Sequence, residues 1–158
     1  MSSKKKHGTG PRKTVLVRNV VAQHKGRHVP LIRQGTPIDE LGGAIQWHRH
    51  SRQLYVVDEQ DRLLGNITLE RLVMYVFASS HGSSMNPRHV MGLITCKYAE
   101  DLMTEGTLTA QMDDRIEEVL DRMVDSHVDE VPVIDENRQV LGDLTMIDLL
   151  MAERIIVK

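Results

Sequence analysis

Thr145 and Asp148 stand three residues apart in "GDLTMID", where a short β-branched run gives way to apolar residues at helical spacing. The order [ST]-x-x-[DE] is that of a capping box: the threonine hydroxyl accepts from the amide of the third helical residue, and the carboxylate reaches back to the amide of the cap. The same arrangement can hold a ligand. Free amides at a helix start attract phosphate, a threonine hydroxyl can hydrogen-bond it, and a neighbouring carboxylate can accept both hydroxyls of a ribose. A helix cap and a nucleotide-binding corner are both open readings of this stretch. An offset of 77 residues leads back to "GNITLER", which keeps Gly65 and Thr68 but has Arg71 where Asp148 stands. A cation there opposes the helix dipole and removes the capping carboxylate, at about 0.3–1 kcal/mol. Either a carboxylate such as Glu70 or a bound phosphate is expected to compensate, and a ribose diol finds no acceptor. The two corners are not equivalent.

The elements that place these corners are also written twice. "LYVVDEQDRLLGNITLERLV" (54–73) aligns without a gap on "VPVIDENRQVLGDLTMIDLL" (131–150): Val56, Asp58, Glu59, Leu64, Gly65, Thr68 and Leu72 recur as Val133, Asp135, Glu136, Leu141, Gly142, Thr145 and Leu149. Such self-similarity marks a duplicated structural unit. In the second copy, Ile116, Val119, Leu120, Met123, Val124 and His127 form one apolar helical stripe, with Asp113 as candidate N-cap. "VPVID" and "QVLGDLT", separated by "ENR", read as a β-hairpin, and a second helix follows from Thr145. With "GTLTAQ" as a leading strand, the unit is strand, helix, strand, strand, helix. In the first copy "HVPLIR" supplies that strand, and Thr36 and Pro37 the helix N-cap and first position. The spacing divides the chain into a basic arm (1–14), a first repeat (15–79), a connecting loop rich in Gly, Ser, Asn and Pro (80–98) and a second repeat (99–158).

Composition narrows the chemistry. The 158 residues are 41% hydrophobic and only 3% aromatic, with nine Met, so the core is aliphatic. The single Cys96 excludes an internal disulfide and a multi-cysteine zinc site, as expected of a cytoplasmic protein. No run of about 18 apolar residues is present, so no membrane span is expected. Nine cations precede the first acid, Asp39, leaving an acidic body behind a basic head. Such an arm can bind nucleic acid or remain a solvated end, and without an aromatic platform or zinc-finger spacing nucleic acid is not the expected partner. The eight histidines do not make a metal site: His48 and His50 diverge if helical, and His24 with His28 has no further ligand at sequence distance. His127 is expected to pack. Cys96 lies in an apolar stretch, and no G-x-S-x-G, Walker A or G-x-G-x-x-G motif occurs. No catalytic residues are assigned.

The duplicated unit resembles a pair of cystathionine beta-synthase (CBS) domains, a Bateman module, over about residues 15–158. "MT", an apolar strand, a helix, "VPVID" and "GDLTMIDLL" carry the likeness in the second copy, and "LYVVDEQDRLLGNIT" in the first. The resemblance implies an α/β (α+β) fold in which two β-α-β-β-α repeats pack about a pseudo-twofold axis. It also implies clefts that take adenosine compounds: AMP, ADP, ATP or S-adenosylmethionine, as regulatory ligands and not obligatory cofactors. By this likeness Asp148 takes the ribose hydroxyls and Thr145 a phosphate or ribose oxygen, Gly142 belongs to the corner, and Val131 and Val133, flanking Pro132, line the adenine with the strand at Thr109. In the first copy only Tyr55, Gly65 and Thr68 carry over, and Arg71 would favour extra phosphate charge. The family's pairing of two modules into a four-unit disk implies a homodimer. A ligand-free scaffold of the same fold and a nucleic-acid regulator using the basic arm are the alternatives, and any regulated partner protein is not identified.

Overall fold

The computed structural model describes residues 13–48, 50–81 and 86–156, so the basic arm expected at 1–14 lies almost wholly outside the described residues. The repeated hairpins form as the β-branched runs and their turns dictate. In the first half, β1 (Leu31–Arg33) runs parallel to β2 (Gln53–Val57), which pairs antiparallel with β3 (Leu63–Thr68). In the second half, β4 (Glu130–Ile134) pairs antiparallel with β5 (Val140–Thr145). The recurrence of Asp58 as Asp135 has a local cause. Asp58 Oδ1 accepts from the amides of Gln60 and Arg62, Asp135 Oδ1 from those of Asn137 and Gln139, and the tight turns place Asp61 and Arg138 at φ 60° and 62°. The side chain substitutes for a backbone acceptor in each turn.

Strand alternation then divides each hairpin into two faces. Leu54, Val56 and Ile67 face the first core; Val131, Val133 and Leu144 face the second. The opposite face carries Gln53, Tyr55, Asn66 and Thr68 in one half and Glu130, Pro132, Asp143 and Thr145 in the other, each set aligned by register. These faces meet. Tyr55, Leu63 and Ile134 form a small apolar cluster where the halves touch, and Leu63 N and Val140 N donate to Arg138 O and Asp61 O across the hairpin tips.

The short helices before each repeat are exchanged. Val17 and Val20 of α1 (Val17–Val21) are buried in the second core, whereas Ala99 and Leu102 of α5 (Ala99–Leu102) are buried in the first. The recurrent glycines make room for the incoming chain. A Cβ at Gly65 would come within 2.6 Å of Thr104 O, and one at Gly142 within 3.2 Å of Val21 Cγ1. Residues 15–21, counted with the first repeat in the sequence, pack with the second: Val17 and Val20 enter its core and Val21 lies in the space that Gly142 leaves.

Other expectations are also corrected. The segment 80–98 holds a helix, α4 (Pro87–Ile94), started by Asn86 Oδ1 accepting from Arg88 N at 3.1 Å, with Pro87 at the first position. "GTLTAQ" supplies a single parallel bridge, Ala110 to Val133, in place of a strand. Thr36 does not cap a helix; its hydroxyl donates to Arg33 O, and α2 (Leu41–Trp47) starts after a 3-10 turn, Ile38–Glu40. A Cβ at Gly42 or Gly43 of α2 would meet nothing within 4 Å, so among the described residues no close helix contact explains them. Arg115, not Asp113, precedes α6 (Ile116–Asp125), because Asp114 turns back to the Gln111 amide and Arg122. His127 is exposed at φ 54°, having passed the end of the stripe. The remaining helices, α3 (Leu69–His81) and α7 (Met146–Ile156), start directly from β3 and β5. Among the described residues no helix is long and apolar enough to cross a membrane.

Candidate functional site

At the second corner β5 ends in Thr145 and α7 begins at Met146, so the amides of the first helical turn need acceptors from outside the helix. The capping box forms in full: Asp148 N donates to Thr145 Oγ1 at 3.2 Å, and Thr145 N donates to Asp148 Oδ2 at 2.9 Å. The carboxylate is 6% exposed and has further partners from the loop after α1. Arg27 spans it with two hydrogen bonds, Nη1 to Oδ2 at 2.8 Å and Nη2 to Oδ1 at 3.0 Å, and His24 Nε2 lies 3.2 Å from Oδ1. Arg27 Nη1 also reaches Asp143 Oδ1 at 3.2 Å. Burial pushes Asp148 up, but the Arg27 hydrogen bond and the donors at Thr145 outweigh it and hold the carboxyl below its ordinary range. Asp143 is pushed above its usual value by burial, with Arg27 opposing. Arg27 is itself raised by its bond to Asp148.

On the neighbouring strand β4, opposite Thr145 and diagonal to Asp143, Glu130 is 4% exposed. It accepts from Ser51 Oγ and from Arg52 N at 3.0 Å, while Tyr55 OH approaches at 3.4 Å. Burial raises Glu130, and burial together with the Glu130 charge raises the Tyr55 phenol well above its ordinary value. Two clefts open beside this group. One, of about 280 Å³, runs from Arg27 and Asp143 to Trp47, His48 and His50; the other, of about 370 Å³, exposes Thr145 and Asp148 between His50 and Ile147. His48 and His50 thus converge on one cleft, because α2 stops at Trp47 and both rings lie beyond its end. Among the described residues no His, Cys, Asp or Glu cluster has metal-binding geometry.

The first corner keeps the backbone and changes the chemistry. Arg71 N donates to Thr68 Oγ1 at 3.2 Å, and Arg71 Nε donates to Leu102 O, the C-terminal carbonyl of the exchanged helix α5. Asn66 Nδ2 donates to Gln53 Oε1 at 2.6 Å, and Thr107 Oγ1 to Asn66 Oδ1 at 2.9 Å. Arg71 makes no ion pair with a described carboxylate, Glu70 included. It opens with Arg88 onto a cleft of about 460 Å³ between α3 and α4.

Of the residues expected at the second site, the structure brings Thr145 and Asp148 together. Val131 and Val133 have no exposed surface and lie in the second core, outside these clefts; alternation turns Glu130 and Pro132 to the opposite, also buried, face of the strand. Thr109 is half-buried next to the Ala110 bridge, and Gly142 lies under Val21. In the first site Tyr55 is fully buried between the halves, Gly65 lies under Met103 and Thr104, and Thr68 and Arg71 face solvent. Sequence reasoning missed Arg27, His24, Glu130 and Asp143. Parity could have found Glu130, two residues before Pro132, and Asp143, two before Thr145; nothing local announces Arg27, 121 residues from its partner. Cys96 is buried, with its thiol pushed up by that burial, as expected of a packing residue.

The CBS domain model matches residues 21–78 and 99–154. The chain belongs to the CBS domain family. A CBS domain-containing protein from Thermotoga maritima is 27% identical, with a TM-score of 0.73 over 88% of this chain and 94% of that one. The CBS domain pair of protein MJ0100, solved with 5′-methylthioadenosine and S-adenosyl-L-methionine, is 22% identical at a TM-score of 0.67 over 90% and 98% of the two chains. CBSX2, solved with AMP, is 19% identical at 0.71 over the same shares, 90% and 98%. An uncharacterized protein of Methanopyrus kandleri is 30% identical over 102 residues, 65% of this chain, and this chain spans 46% of its length. The mixed α/β architecture of two tandem CBS repeats is thereby established.

Proposed function

We propose that this CBS pair is a regulatory module that binds an adenosine-containing ligand at the Thr145–Asp148 corner and conveys occupancy by shifting the packing of its halves. The observation that carries it is Asp148: a carboxylate kept ionised, fixed by a helix cap, and opening onto a cleft next to an arginine and histidines. An ionised carboxylate accepts two hydrogen bonds from a ribose diol, and the start of α7 offers a positive helix end. AMP, 5′-methylthioadenosine and S-adenosylmethionine in the related CBS pairs support this ligand class. No chemical step is assigned; the ligand acts through its differential affinity for two packings. A homodimer in the cytoplasm is part of the reading. Val73, Val76, Ile147, Leu150 and Met151, exposed on the equivalent helices α3 and α7, support the dimer, and the lone buried Cys96 suits a reducing compartment.

A second reading has its own observation. Thr145, Arg27 and His24 already satisfy Asp148, as a ligand-free scaffold would require. Calorimetric titration with AMP, ADP, ATP and S-adenosylmethionine separates the two: saturable binding lost in a folded Asp148→Asn variant supports the sensor, and no heat from any of the four supports the scaffold.

A further inference from the structure

Arg27 occupies the atoms that the proposed ligand needs. Both of its terminal nitrogens bond Asp148, one to each carboxylate oxygen, and with Thr145 N on Oδ2 and His24 Nε2 beside Oδ1 the closed fork leaves neither oxygen an acceptor site for a ribose diol. The side chain is reachable from solvent: it is 33% exposed, against 7% for Asp148, and it follows the turn at Gly26, with φ 88°. Its further partner, Asp143 Oδ1, lies deeper in the same cleft, and Arg27 also contacts His24 Nδ1 at 3.3 Å. Opening the fork leaves Asp148 with its cap amide and His24, so the carboxylate is not orphaned.

The freed guanidinium is the costly part. A planar fork taken from a carboxylate seeks an equivalent planar or tetrahedral anion. Asp143 holds the guanidinium through Oδ1 alone and Glu130 is engaged by Ser51 and the Arg52 amide, so the bidentate pair lost at Asp148 is not replaced by any bond Arg27 already makes. A phosphate on the entering ligand supplies that pair; an uncharged adenosine does not. We propose that Arg27 is an internal competitor for the ribose-binding carboxylate and the specificity-determining residue of this cleft, yielding Asp148 to an adenosine phosphate whose phosphate it then binds and excluding uncharged adenosine. The inference rests on the ligand site proposed above and goes beyond it in naming what sets the ligand's charge.

Calorimetric titration of the full chain with AMP and with adenosine, in wild type and in Arg27→Ala, tests it. The wild type is expected to prefer AMP by about tenfold or more, one charge-assisted hydrogen-bond pair. In Arg27→Ala adenosine should bind more tightly than in the wild type and AMP more weakly, bringing the ratio toward one. Arg27→Lys, which keeps the charge without the fork, should fall between and covers the case in which the alanine variant does not fold. Equal shifts for both ligands in the variants, or an unchanged ratio, overturn the competitor role while leaving the site itself standing if Asp148→Asn abolishes binding. Absence of adenosine and AMP binding in the wild type and both variants overturns the site and the competitor together.

Discussion

Four pairs of equivalent positions build the two strand-to-helix corners: Gln53 and Glu130, Asn66 and Asp143, Thr68 and Thr145, Arg71 and Asp148. Only the threonine is kept. In the first corner an amide pair and a threonine hydroxyl close a neutral network, which needs no counterion. In the second the same backbone positions bury three carboxylates, and an arginine from the exchanged loop is drawn in to answer two of them. Buried acids without partners are costly, so the acidic corner requires Arg27 where the neutral corner requires only Thr107. The fold was duplicated with its turns and the cap threonine kept, while its clefts took different electrostatic character: acids gripped by an arginine on one side, Arg71 and Arg88 without an ion pair to a described carboxylate on the other.

The comparison can be broken most forcefully through its glycines. Gly65→Ala places a methyl against the Thr104 backbone carbonyl and should destabilise by about 2–3 kcal/mol, whereas Gly142→Ala meets only a Val21 methyl and should cost less than about 1 kcal/mol. Denaturant melts of the two variants check this; equal losses would mean that the exchanged helices are not packed as described. Asp148→Ala should cost about 1–2 kcal/mol at neutral pH through the lost cap and the lost Arg27 fork. Its folded carboxyl is held low, so that contribution is present above the unfolded carboxylate value and disappears as pH falls through the folded value. The gap to wild type should therefore close on acidification. Glu130→Gln, which copies Gln53, should behave oppositely. The wild-type carboxyl is raised by burial, so its favourable contribution lies below the unfolded value and is lost as pH rises through the folded one. Melts across that range should show the variant gaining on wild type with rising pH. The smallest effect is expected for Arg71→Asp, which restores a capping carboxylate to the first corner: a gain of up to about 0.5 kcal/mol, read from the same melts.

Much of this architecture is local and was legible. The hairpins with their tight turns and the capping box at Thr145 rest on partners close in the chain, and duplication doubled the hairpin signal. Helix α4 escaped because "PRHVMGLI" is short and set among Gly, Ser and Asn, although Asn86 and Pro87 carry a start signal. The CBS likeness implied that Val131 and Val133 line the adenine; residues one apart on a strand face opposite ways, and the side chains of both lie on the core face. The exchange of α1 and α5, and the bond of Arg27 to Asp148, depend on how two units dock. Neither leaves a periodic trace in the chain.

The central claim, that one corner and not the other holds the ribose of an adenosine ligand, is tested most directly by the stoichiometry of AMP binding in calorimetry, measured for wild type, Asp148→Asn and Arg71→Ala. The account predicts one AMP per chain, lost in Asp148→Asn and retained in Arg71→Ala. Binding that survives in a folded Asp148→Asn variant but is lost in Arg71→Ala would contradict it and move the site to the first corner.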